Sequence, residues 1–361
     1  MRLLLLVLLS FSMPLFAQQV VVGSYASARQ SGVYLVDFDE STGRLKAISS
    51  KKGIHNPSFV IQSLPFLYAV SEIGPVGEVV TLAKRGKKLF TQSRVSSQGD
   101  YPCHLTMDKT GRWLFVGNYG GGNWSILPIG PLGEALPAHQ TWQHTGKGPN
   151  QARQEKPHVH SITLSPTNQD IFVADLGTDS LKHYTFDAVT GRATPGKSSV
   201  VLSPGSGPRH TRFDPSGKRL YVVQELTGQV SVYAYQPGQL TFIQEVSSLP
   251  AGFSGKHASA DLHFSPDGRF LYVSNRFYDT LCLFAVDKET GKLKAIAQIP
   301  VIGKTPRNFA ISPSGRSILV ANQDSDSIDI FQRDMETGLL TFQSSYRSIA
   351  KPVSLTFLPS N

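Results

Sequence analysis

Short apolar runs that end on a small or polar residue recur along this chain at nearly even intervals. They are VVVGS ending at Ser24, LYAVS at Ser71, LFVGN at Asn118, IFVAD at Asp175, LYVVQ at Gln224, LYVSN at Asn275 and ILVAN at Asn322. Their end points lie 47, 47, 57, 49, 51 and 47 residues apart. The runs are rich in β-branched and aromatic side chains, which suits buried strands, and no window shows the spacing of a long amphipathic helix. Self-similarity at about 40–50 residues with strand patterning predicts a β-propeller, one four-stranded antiparallel blade per repeat. Seven copies predict an all-β fold of seven blades.

The flanking sequence assigns the remaining strands. Five runs are preceded by a turn, in DKTGRWLF, SPTNQDIF, DPSGKRLY, SPDGRFLY and SPSGRSIL, with Asp, Ser, Pro and Gly where turn geometry favours them. These are hairpins from the first to the second strand of a blade. After each run a glycine (Gly43, Gly86, Gly133, Gly191, Gly238, Gly291 or Gly338) opens the hairpin from third to fourth strand. The segments HSITLSP, HTRFDP, LHFSP and FAISP read as innermost strands. The expected mature chain starts in the second strand of blade one (VVVGSY), and the last segment, PVSLTFLPS, reads as an innermost strand with no second strand after it. Pairing Val353–Leu358 with Val20–Ser24 would close the ring and leave only short sheet edges.

Of the 361 residues 40% are hydrophobic, enough for a large core, and the even repeat leaves no room for a second domain. Residues 18–361 are expected to form one propeller. Ahead of it, Arg2, an apolar run from Leu3 to Phe16 and Ala17 have the pattern of a secretory signal peptide, with cleavage expected after Ala17 and a periplasmic or secreted location. That run is too short to span a membrane as a helix. Cys103 and Cys282 fall in blades three and six, so they are expected to stay unbridged. The formal net charge of +9 comes without a Lys/Arg run or a basic helix. Nucleic acid is therefore a poor partner, and a small anionic molecule a better one. Neither metal-ligand spacing nor a nucleotide-binding glycine motif is present, so no metal or cofactor is expected. A monomer is expected.

Innermost strands line the channel of a propeller, and the loops entering them and leaving the second strands surround one mouth. Aligned on the residue six before the turn proline or its equivalent, blades three to seven carry Cys103, His160, Arg209, Ala260 and Arg307. One position on lie His104, Ser161, His210, Asp261 and Asn308. Directly after the apolar runs come Glu72, Tyr119, Leu176, Glu225, Arg276 and Gln323 from blade two onward. The repeat thus places His160, Arg209, Glu225 and Arg276 around one mouth. A single Arg or Glu at a blade end is usually a solvated surface group. Several of them converging on a narrow channel are costly to desolvate unless paired or used, which makes these four the candidate catalytic residues. His104, His158, His210, Arg307 and Asn118 are candidate ligand-binding neighbours. Gly120–Gly122 form either an anion-binding nest or a tight turn. The long connection at roughly 133–157, with His144, Lys147, Arg153, Gln154 and Lys156, is expected to fold over the mouth as a lid or rim.

These motifs together resemble a known family. YPCHL (101–105), NYGGGN (118–123), GPNQARQEKPHVHS (148–161), VADLGTD (173–179), GPRHTRFDPSG (207–217), QEL (224–226), SPDGRFLYVSNR (265–276), TPRNFAISPSG (305–315) and ANQDSDSI (321–328) are similar to segments of the lactonase family of seven-bladed propellers. That family includes a bacterial 6-phosphogluconolactonase and the fungal carboxy-cis,cis-muconate cyclase. The resemblance covers essentially the whole chain after the leader. It implies hydrolysis of a sugar-derived or other anionic lactone, with His160, Arg209, Glu225 and Arg276 as the active residues. A cycloisomerase or lyase acting on a muconate-like diacid, and a non-catalytic ligand-binding propeller, are the alternatives. A phosphosugar lactone belongs to the cytoplasm, so the apparent export signal points instead to an unphosphorylated or carboxylated lactone.

Overall fold

The computed structural model describes residues 18–26 and 30–359; the expected signal peptide lies outside the described residues. They form seven antiparallel sheets arranged as a propeller. Five take four consecutive strands, that of blade one joins the last strand of the chain to the first three, and that of blade four adds a short fifth at Val200–Val201. The second and third strands of each blade are buried on both faces, which explains why their sequences read as unbroken apolar runs instead of alternating ones. The outermost strands, such as Arg44–Lys52 and Gln239–Ser247, face solvent and carry the charge.

The core is divided among the wedges between blades. Val20, Val22 and Phe38 of blade one pack on Leu319, Ile328 and Ile330 of blade seven. Phe115 and Trp124 of blade three likewise meet Ile162, Ile171 and Val173 of blade four. Each fully buried side chain of this kind is worth about 1.5–3 kcal/mol, so a blade that lost either neighbour would forfeit several such contributions. Specific hydrogen bonds fix the stacking angle. The hydroxyls of Tyr221 and Tyr272 donate to the carbonyls of Gly291 and Gly338 in the next blade, at 2.7 and 2.5 Å. Gly291 is required twice over. Its φ is +74°, and a Cβ there would lie 2.0 Å from Cδ of Arg219.

Blade one is completed from both ends of the chain. Pro352–Phe357 lies antiparallel to Gln18–Ser24, with Val20 opposite Phe357 and Val22 opposite Leu355. The two cysteines are free and buried. No helix among the described residues is long and apolar enough to cross a membrane.

Candidate active site

A recurring local device aims side chains into one mouth of the channel. Asn56, Tyr101, Gly207, Thr305 and Lys351 all have positive φ, between 42° and 60°. Each is followed by proline and then by the aligned residue: Ser58, Cys103, Arg209, Arg307 or Val353. The left-handed residue turns the chain inward and the proline fixes the next φ. The aligned residue then falls in a register shift, a β-bulge, in blades one, three, five and seven. His160 occupies a bulge of the same kind in blade four. A bulge leaves its extra residue outside the ladder and redirects it. Here the redirected side chains meet: Ser58, Cys103, His160, Arg209, Arg307 and Val353 line one narrow crevice on the channel axis.

Glu225 is the centre of this mouth. It follows the second strand of blade five and is 2% exposed. Arg209 Nε donates to its Oε2 at 2.9 Å, Arg276 Nη2 lies 2.7 Å from the same oxygen, and Arg153 Nη2 pairs with Oε1. His160 Nε2 stands 4.0 Å from Oε2. The structure therefore brings His160, Arg209, Glu225 and Arg276 together. Burial alone would raise the Glu225 carboxyl, but the guanidiniums of Arg276, Arg209 and Arg153 overcome it and hold the group well below the usual carboxylate range. Burial, reinforced by Arg209, drives His160 well below the ordinary imidazole value, so its ring is neutral. Arg276 Nη2 is in ion contact but has no aligned hydrogen-bond acceptor among the described residues.

The other expected residues separate into layers. Arg307 shares the crevice, its guanidinium 5.5 Å from the ring centre of Tyr25. His104 and Asp261 line a second cavity of about 290 Å³ along the channel, and Phe59, His210 and Asn308 line both it and the crevice. There Asp261 receives His210 Nδ1 at 2.9 Å, His263 Nε2 at 2.8 Å and Asn308 Nδ2 at 2.6 Å, which ties three blades together. His158 stacks on Tyr119 at 4.3 Å and spends its nitrogens on the Tyr119 carbonyl and Glu155. It props the wall of the mouth. Asn118 requires correction as a ligand-binding neighbour: it is fully buried and its amide donates to the carbonyl of Ser97 at 3.0 Å. Like Asp175 and Asn275, it ties a loop inside the fold.

The long connection after blade three reaches the site through one residue. Arg153 bridges Tyr119 and Glu225, while His144 is buried against Asp175 at 2.8 Å and Gln154 is held by Asp179. A second buried carboxyl, Glu72 of blade two, stands beside Tyr25 and Ser58. It occupies the same repeat position as Glu225, and that equivalence was its one visible signal in the sequence.

Against known proteins, residues 19–357 match the family model "Lactonase, 7-bladed beta-propeller". A 6-phosphogluconolactonase of Formosa agariphila is 35% identical over 80% of this chain and 85% of its own length. One from Bacillus subtilis is 31% identical over 80% and 83%. A solved structure described as the periplasmic gluconolactonase of Pseudomonas aeruginosa superposes with a TM-score of 0.88 at 33% identity, over 95% of this chain and 99% of that one. With its seven blades and a family match that runs from the first strand to the last, the chain belongs to the lactonase family of seven-bladed β-propellers.

Proposed function

We propose that this lactonase-family enzyme hydrolyses a sugar-derived or other anionic lactone outside the cytoplasm, with His160 as the base that activates water. The observation that carries the reading is a buried imidazole 4.0 Å from a carboxylate clamped by three guanidiniums. Neutral His160 has a free lone pair to accept the proton of an attacking water. Glu225 is too strongly stabilised as an anion to take that proton; its work is to hold the guanidiniums in place. Arg276, with an unaligned Nη2, and Arg209 supply donors to the oxyanion that forms on the lactone carbonyl. Arg307 adds a third cation that would attract a carboxylate or phosphate on the substrate.

The choice between phosphorylated and plain lactones rests on location. The signal-like leader and the likeness to a periplasmic gluconolactonase favour an unphosphorylated sugar lactone, acted on by a mature chain that starts at Gln18. The test is proton release by the purified mature protein on gluconolactone, its 6-phosphate and a muconolactone, followed in both directions. The expected result is kcat/KM on the unphosphorylated lactone equal to or above that on the phosphate. A preference of about tenfold or more for the phosphate would overturn the substrate assignment. Lactone formation outpacing opening on the muconolactone would move the protein to the cycloisomerases, and inactivity on every lactone would overturn the reading. Fractionation with N-terminal sequencing checks export: an intact Met1 in the cytosol is the contrary outcome.

A further inference from the structure

The mouth holds a carboxyl that the mechanism above leaves unused. Glu72 follows the second strand of blade two and is 7% exposed. Its Oε1 accepts from the Tyr25 hydroxyl at 3.3 Å, and its Oε2 is in contact with the Ser58 hydroxyl. Ser58 itself lines the crevice shared by His160, Arg209 and Arg307. Between Glu72 in blade two and His160 in blade four lies Cys103 of blade three, its Sγ 3.9 Å from His160 Nδ1. Glu72 thus borders the crevice through Ser58.

The partners of the two glutamates differ in kind. Glu225 is held by guanidiniums, which only donate hydrogen bonds and so demand an ionised carboxylate. Glu72 is held by two hydroxyls, which donate to a carboxylate and accept from a carboxylic acid. It can lose and regain a proton without moving. It is not the counter-ion of Arg307: no carboxylate among the described residues comes within 4.0 Å of that guanidinium, whose hydrogen-bonding partner is Gln323 at 3.5 Å. Burial raises the Glu72 carboxyl, and Arg307, Ser58, Tyr25 and Arg209 only partly oppose it. Its surroundings favour the protonated form, whereas those of Glu225 favour the carboxylate.

Building on the lactonase reading, we propose that Glu72 is the general acid of the site, giving its proton to the ring oxygen as the lactone opens. Water adds to the carbonyl while His160 takes its proton. The tetrahedral intermediate then breaks its bond to the ring oxygen; the electron pair goes to that oxygen and the Glu72 proton follows, leaving a hydroxyl. Glu72, now a carboxylate, is reprotonated from solvent as His160 releases its proton. The sum is lactone plus water to hydroxy acid.

A general acid matters only when the leaving group needs one. Sugar lactones expel an alkoxide, whereas dihydrocoumarin expels a phenoxide whose conjugate acid has a pKa of about 10, like a tyrosine. The experiment compares kcat/KM of wild type and Glu72→Gln on gluconolactone and on dihydrocoumarin. The ratio of the two activities does not depend on how much of a preparation is folded. It is expected to fall about 10²-fold in Glu72→Gln, the lower end of what general acids contribute. Glu72→Asp, which shortens the reach, serves as the second variant and is expected to lower the ratio less. An unchanged ratio in both variants overturns the assignment while leaving the lactonase reading intact. A wild-type protein that opens neither lactone overturns both.

Discussion

Arginine and lysine carry the same charge, yet only arginine offers several coplanar donors, and Arg276 uses them to touch Glu225 and the carbonyl of Ala258 while keeping Nη2 unaligned. Replacing Arg276 with Lys is therefore expected to lower kcat/KM about 10- to 100-fold with little change in Tm. Wild-type kinetics in that variant would reduce Arg276 to a general electrostatic role. Protonation supplies a second residue-scale expectation. Burial holds His104, His160 and His210 below the ordinary imidazole value, His210 at about 4, while in the unfolded chain they titrate near 6.5. Below pH 6.5 the unfolded state thus binds more protons, so stability is complete above that pH and lost on acidification. His210 alone corresponds to about 3 kcal/mol between pH 6.5 and 4. Calorimetry should show Tm dropping across that window and a shallower drop in His210→Gln; a flat wild-type profile would mean that the imidazoles are not buried and neutral. Not every residue of the mouth was legible in the sequence. The four central residues were, because the repeat aligned them, and Arg307 with them. Arg153 was seen only as part of a rim, since its connection has no counterpart in other blades to show where it points. Asn118 misled because a polar residue at a strand end looks the same whether it faces a ligand or ties a loop.

At the scale of the element, the left-handed residue, proline and bulge form one unit, repeated around the ring. The repeat was readable as x-Pro followed by an aligned residue, but the positive φ and the register shift were not, since Asn, Tyr, Gly, Thr and Lys share no side-chain chemistry that announces them. Gly207 is the sharpest test. Its φ is +59°, and a Cβ would come within 2.6 Å of Leu226 Cγ, beside Glu225. Gly207→Ala is expected to cost about 1–2 kcal/mol in chemical denaturation and to lower kcat/KM by more than its stability loss explains, because Arg209 would be displaced with its bulge. A variant with normal kinetics would show that the bulge tolerates another route into the strand.

For the whole molecule, closure of blade one by the two chain ends was predictable from a leftover innermost strand at the C-terminus and a blade lacking one at the N-terminus. Deleting residues 350–361 removes Pro352–Phe357 and with it the packing of Leu355 on Val20 and Val22. Because each wedge depends on two blades, the expected outcome is loss of the cooperative unfolding transition throughout the protein. A truncated chain melting like the intact one would refute closure by this strand. Leu355→Ala, a milder change, is expected to cost about 2–4 kcal/mol.

The same clasp sets a timetable. Gln18–Ser24 is the first of the described strands to be made during synthesis, and its partner strand follows roughly 330 residues later. Until then the first blade has an open edge and the ring a missing wall, so no partial chain can reach the native state. Long-range closure of this kind is slow. If the leader directs export as proposed, a chain that cannot lock prematurely stays threadable until its last residues have crossed.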